Sequence, residues 1–179
     1  MELKVALALS CLAVACRRPA PAPAPQPLPR TGGTRQTAAL AALGLDARDL
    51  PELSAVDART MKPLMDTFDD SLDACCEDCH VKNDPKAPTD AKRIASEMWR
   101  RYSRDLVTID GAPVYCDSCH EGRLRFLDRS DPKALSQWML ANYVRKLRRK
   151  DGSRVECSTC HGRPFEPRIL ENLWHARKG

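Results

Sequence analysis

Cys76-Glu77-Asp78-Cys79-His80, Cys116-Asp117-Ser118-Cys119-His120 and Cys157-Ser158-Thr159-Cys160-His161 are three copies of one pattern, Cys-x-x-Cys-His. The spacing places two thiols about one helical turn apart with an imidazole next to the second. Such a turn can form thioethers to the two vinyl groups of one porphyrin while the histidine reaches the iron, so the pattern reads as a c-type haem attachment site. With 9 Cys and 4 His among 179 residues, composition alone would produce it about 0.01 times per chain. Zinc is the competing ligand for Cys-x-x-Cys pairs, but a zinc site takes four tetrahedral ligands, and three pairs each followed by His do not divide into complete sites. The expectation is three covalently bound haem c, held by Cys76, Cys79, Cys116, Cys119, Cys157 and Cys160, with His80, His120 and His161 as proximal iron ligands.

Residues 1–15 carry Lys4 and then an apolar run, the pattern of an export signal and too short to span a membrane. Cys16 follows Leu12-Ala13-Val14-Ala15, close to the site at which bacterial lipoproteins are cut and acylated, although the leucine is displaced by one position. Cys11 has the same displacement and too short an apolar run before it, so Cys16 is preferred; plain cleavage after Ala-Val-Ala is the alternative. Residues 16–34 contain alternating proline from Arg17 to Arg30, which favours an extended polyproline II segment and reads as a linker. Residues 35–179 then form the haem-bearing domain, facing the periplasm of a bacterial membrane.

The formal charge of +5 does not indicate nucleic acid, because three haems would add six propionates. Arg100, Arg101, Lys146, Arg148, Arg149 and Lys150 read as solvated helix faces that balance them.

From Thr60 onward the chain repeats a unit of amphipathic helix, loop and motif. In the first, Thr60 caps a helix with Pro63 in its first turn, and Leu64, Phe68 and Leu72 form a stripe. The second runs from about Asp90 to Asp105 with Ile94, Met98 and Tyr102 in line. The third starts at Asp131-Pro132 and runs to about Lys150 with Leu135, Met139, Tyr143 and Leu147 in line. Met98, Tyr102, Leu106, Asp110, Gly111, Val114 and Cys116 match Met139, Tyr143, Leu147, Asp151, Gly152, Val155 and Cys157 without a gap. The shared Asp-Gly pair predicts a tight turn that sends the chain back along its helix. Thr37 to Leu43 is a short helix or lead-in without assigned chemistry.

Only His175 remains as a second histidine for any iron, so thioether sulfur is the expected distal ligand, and His/Met ligation raises the reduction potential. Met65, Met98 and Met139 are the candidates, one before each motif, with Met61 and His175 as weaker alternatives. A methionine at helical spacing is ordinarily core filler, but Met98 and Met139 each precede their motif by eighteen residues. Tyr102, Tyr143, Trp99 and Trp138 read as packing along porphyrin faces. Cys75 reads as a spectator thiol, with an intermolecular disulfide or mistaken haem attachment as alternatives. His175 lies on an amphipathic segment from Pro167 to Lys178.

The run Leu64-Met65-x-x-Phe68-x-x-Ser71-Leu72-x-x-x-Cys76-x-x-Cys79-His80-Val81, followed by Asp84, Lys92, Ala95 and Met98, resembles the photosynthetic reaction-centre cytochrome c subunit family and its small non-photosynthetic relatives. That resemblance implies a loop-rich fold around haems, a methionine-bearing helix before each motif and His/Met-ligated electron transfer. It covers about residues 56–122. The chain departs from it in having three motifs instead of four, and Asp73-Ala74-Cys75 where Gly-Val is usual.

The expected fold is mainly α with low regular-structure content, built of repeated helix-loop-motif units packed around covalent haems. The expected function is single-electron transfer between redox proteins of the periplasm or membrane, without enzymatic turnover. Two alternatives stand beside it: a multihaem redox enzyme with one open five-coordinate haem, and a haem sensor or subunit of a larger respiratory complex. Nothing resembles a nucleophile-base pair, a phosphate loop or a paired-carboxylate site.

Overall fold

The computed structural model describes Pro29 and residues 33–161. Cys11, Cys16, the proline-rich segment and His175 lie outside them. Seven α-helices and two short strands follow in the order α1 (Arg35–Ala42), α2 (Ala58–Leu72), α3 (Cys76–Cys79), α4 (Asp90–Met98), β1 (Leu106–Thr108), α5 (Cys116–His120), α6 (Pro132–Met139), β2 (Leu147–Arg149) and α7 (Cys157–His161). The fold is mainly α, as the helix-period stripes imply.

Helix α2 begins earlier than Thr60. Asp57 is its cap, with Oδ1 accepting from the backbone N–H groups of Arg59 and Thr60, while the Thr60 hydroxyl donates to Oδ2 at 2.7 Å. A carboxylate that satisfies two orphan donors outcompetes a threonine already inside the first turn. Pro63 consequently lies beyond that first turn. The helix ends on Asp73 at φ 48°, a left-handed position that a short polar side chain tolerates, which accounts for Asp where glycine would be the unstrained choice.

The third helix does not reach Lys150. Asp131 and Pro132 are its cap and first residue as expected, but α6 gives way to a π turn at Leu140–Val144, and Leu147–Arg149 is the strand β2. The second helix behaves in the same way: α4 ends at Met98, a π turn covers Trp99–Ser103, and β1 follows. Both π turns are closed by backbone bonds, from Arg104 N to Trp99 O at 3.0 Å and from Arg145 N to Leu140 O at 3.2 Å.

The strands pair antiparallel with Leu106 opposite Arg149, Val107 opposite Arg148 and Thr108 opposite Leu147. Val107 and Arg148 are themselves equivalent in the internal repeat, so the ladder is centred on a pseudo-twofold axis. The flanking bonds obey it: Ile109 N donates to Lys146 O at 2.9 Å and its counterpart Lys150 N donates to Asp105 O at 2.8 Å. Each strand then turns at glycine, Gly111 at φ +82° and Gly152 at φ +84°, where only glycine sits without strain. These are the tight turns the Asp-Gly pairs predict.

Two apolar clusters result. One is made of repeat equivalents alone, Leu106 with Leu147 and Val114 with Val155, with Tyr102 and Tyr143 packed beside them. The other joins Leu40, Ala47, Leu50, Leu64, Trp99 and Tyr115. Trp99, 1 % exposed, is edge-on to Phe68 and Tyr115 and donates its indole N–H to Pro51 O at 2.8 Å. It is therefore a core residue rather than one that covers a porphyrin.

Candidate haem-binding sites

Each Cys-x-x-Cys-His motif forms one short helical turn, which brings its two thiols to the same side. The second and third turns are held by a hydroxyl at the third helical residue. Ser118 Oγ accepts from Tyr115 N and Thr159 Oγ1 accepts from Glu156 N, both at 3.0 Å. In the first, Asp78 Oδ2 accepts from Cys75 N at 3.0 Å. The x positions of the motif are thus capping residues. None of the six motif cysteines is in a disulfide, whereas Cys75 is disulfide-bonded and not a spectator thiol.

The histidines are oriented by backbone carbonyls. His80 Nδ1 lies 2.9 Å from Pro85 O, and His120 Nδ1 lies 2.9 Å from Arg123 O. Donation from Nδ1 commits the ring to the tautomer whose Nε2 carries a lone pair, the arrangement an axial histidine requires. Burial holds the His120 pKa below its ordinary value, favouring the neutral ring, and Phe126 stands edge-on to it with centroids 4.8 Å apart. The residues after His161 lie outside the described part of the chain.

The first motif is clasped to the following helix. Thr89, which caps α4, donates its hydroxyl to Cys79 O at 2.6 Å, and Lys92 Nζ donates to Pro85 O and Ala87 O, both at 2.6 Å. The second motif is clasped to α1 and α2. Asp117 is buried, its Oδ1 accepting from Thr34 Oγ1 at 2.7 Å and its Oδ2 from Gln36 N at 3.3 Å, and Gly122 N donates to Ser71 O at 2.9 Å. Helix α1, to which sequence reasoning assigned no role, is thereby fixed against a haem motif. Asp117 was readable only as an x position, and its contact depends on residues far away in the chain.

The pseudo-twofold axis brings the second and third sites together. Cys160 is near enough to Tyr102 and to Cys119 that its charge would raise the pKa of both. Burial pushes the Cys116 and Cys119 thiols up to about 12, so they stay protonated at neutral pH. The repeat equivalent of Tyr102 is Tyr143, whose buried hydroxyl has no hydrogen-bond partner among the described residues. Its pKa is raised by burial first and by Cys119 and Cys160 next. An orphaned polar atom beside two cysteine pairs fits a polar-edged prosthetic group in the space between.

Met139 and His161 line one cavity of about 220 Å³, together with Leu127, Arg129, Pro132 and Leu135. Met98 and Met139 are each the last α-helical residue before a π turn, a distortion that recurs at functional sites. Met61 and Met65 instead flank the core cluster that Cys116 also borders. Trp138 stands edge-on to Tyr143 with centroids 5.0 Å apart. Among the described residues no three His, Cys, Asp or Glu side chains gather as a site for a bare metal ion.

Cysteine pairs outside any disulfide on single helical turns, each followed by a histidine, define a small multihaem c-type cytochrome. The comparison with protein families agrees. The family described as cytochrome c7 and related cytochrome c matches residues 66–162, more than half of the chain, and the protein belongs to that family. The narrower resemblance to the reaction-centre subunit is not what this match supports. No curated protein and no solved structure gives a significant match. Among the described residues no helix is long and apolar enough to cross a membrane.

Proposed function

We propose that this chain is a triheme electron carrier. Cys76 with Cys79, Cys116 with Cys119 and Cys157 with Cys160 would each hold one haem c, and His80, His120 and His161 would supply the proximal nitrogen. The group contributes reversible one-electron exchange at iron. The chain's own residues supply the rest. Carbonyls of Pro85 and Arg123 orient the imidazoles, Met98 and Met139 offer sulfur from the ends of their helices, and Met65 offers it from the middle of α2 for the first site, with Met61 and His175 as weaker candidates. Distal thioethers would raise the potentials and close the irons to substrate.

The observation that carries this reading is the donation of histidine Nδ1 to a backbone carbonyl at two motifs. It leaves Nε2 as the only ring nitrogen able to bind a metal. A histidine with a merely structural role would not need the free nitrogen beside two cysteines held on one helical turn.

Residues 1–15 would direct export, Cys16 would carry the lipid, residues 16–34 would form the linker, and residues 35–179 the haem domain on the periplasmic face. Redox proteins of the periplasm or membrane would be its partners. Potentiometry of the exported holoprotein tests the carrier function: three one-electron transitions are expected, with all ferric haems low-spin. A high-spin ferric haem that binds cyanide or nitrite readily would instead make it a redox enzyme.

A further inference from the structure

His80 and Lys92 converge on a single backbone oxygen. His80 Nδ1 lies 2.9 Å from Pro85 O, and Lys92 Nζ lies 2.6 Å from the same oxygen and 2.6 Å from Ala87 O. Local structure builds this convergence. Asn83 takes φ +64°, and Asp84 Oδ1 accepts from Lys86 N at 3.2 Å and Ala87 N at 3.1 Å, which folds residues 83–87 into a compact turn. Thr89 then pins the start of α4 to Cys79 O, and Lys92, near the beginning of that helix, reaches back over the turn.

A carbonyl oxygen has two lone pairs and can accept from both groups. An ammonium on one of them draws electron density from the oxygen and makes it a weaker acceptor for the imidazole N–H. The strength of that N–H bond governs how much imidazolate character, and hence basicity, an axial histidine presents to its metal. A less basic histidine stabilises ferric iron less, so the potential rises, and the nearby positive charge acts in the same direction.

We infer that Lys92 is a positioning residue of the first site, which shares the Pro85 carbonyl with His80 Nδ1, weakens that hydrogen bond and keeps the first haem at a higher potential than an unshared carbonyl would allow. This rests on the haem reading of Cys76, Cys79 and His80. It gives one site a tuning element that is absent from the motif itself and comes from the next helix.

The test uses the full holoprotein and three variants that separate charge from hydrogen bonding: Lys92→Arg keeps the cation, Lys92→Gln keeps only a neutral donor, and Lys92→Met keeps neither. Haem-resolved redox titration by NMR, with the His80 Nδ1 proton followed in the reduced state, gives two readouts that stability alone would not move. The expected result is a negative shift in the first haem's potential that grows from Arg through Gln to Met. A downfield shift of the His80 Nδ1 proton should accompany it, with the other two haems little changed. An unmoved His80 proton in both Lys92→Gln and Lys92→Met, or equal shifts at all three haems, would overturn the inference. Mass spectrometry of the same samples separates the two levels: no haem on Cys76 and Cys79 in the parent protein overturns the haem reading as well, whereas three haems with an unmoved proton overturn the role of Lys92 alone.

Discussion

The first haem unit and the pair formed by the second and third carry the same motif on different supports. The pair is a pseudo-twofold object: its strands cross at equivalent residues, its glycine turns match, and its core is made of Leu106, Leu147, Val114 and Val155. The first unit has no such counterpart. Its helix α2 packs into a separate cluster, and its motif and the turn after it are tied to α4 by Thr89 and Lys92. The attachment motif therefore specifies a chemistry, while the environment of each site comes from elements the motif does not contain.

The largest effect should come from removing one site at a time. Cys157→Ser with Cys160→Ser should lose one haem by mass and also disturb the second haem's potential, since Cys160 lies close to Cys119 and Tyr102. Cys76→Ser with Cys79→Ser should lose one haem and leave the other two close to their parent potentials. Equal disturbance in both cases would break the distinction between pair and single unit.

Leu106→Ala sharpens it at the level of packing. Leu106 is 1 % exposed in the cluster shared by the two repeats, and its truncation should lower unfolding stability by about 2–5 kcal/mol. Denaturant unfolding of the holoprotein would measure the loss, and haem spectra should change at the second and third sites first. Leu64→Ala should be of comparable size, with its spectral consequences away from the Tyr102 and Tyr143 pair.

Gly111→Ala and Gly152→Ala probe the axis itself. A side chain at either position would meet nothing within 4 Å, so the cost is conformational, about 1–2 kcal/mol for a left-handed residue. Thermal unfolding should show nearly the same loss for each, because the two turns are equivalent. A large inequality would contradict the symmetry.

Much of this was readable from residues alone. The motifs are legible because two thiols one helical turn apart with an imidazole beside the second are a specific attachment pattern, and the helices because their apolar stripes follow the helical period. The strands were not, since Leu147 continues the stripe of Leu135, Met139 and Tyr143 and gives no sign that the backbone has changed. What makes Leu147–Arg149 a strand is its partner Leu106–Thr108. The gapless repeat was the available signal, since two copies of a helix, an Asp-Gly turn and a motif have equal faces to pair. The cap at Asp57 was missed because Thr60 is also a good cap, and the role of Asp117 because its partners Thr34 and Gln36 are fixed by tertiary packing.

The smallest expected effect is a pH dependence in the first unit. The pKa of Asp69 is raised by burial first and by Asp66 next. A raised folded pKa means that the ionised form costs stability above it, a cost that fades as pH falls through the folded value to the unfolded one. Asp69→Asn should therefore be slightly more stable than the parent at pH 7, and the gain should disappear in acid. Denaturant unfolding at neutral and acidic pH would show it, and a gain that grew in acid would contradict the assignment.

The central claim is that three haems are held by the three motifs with a sulfur ligand offered to each. The most direct measurement is the near-infrared sulfur-to-iron charge-transfer band of the ferric holoprotein, on samples whose mass confirms three attached haems. The band is expected to fall stepwise through Met65→Ala, Met98→Ala and Met139→Ala. Its persistence at full strength in the triple variant, or a mass with fewer than three haems in the parent, would contradict it.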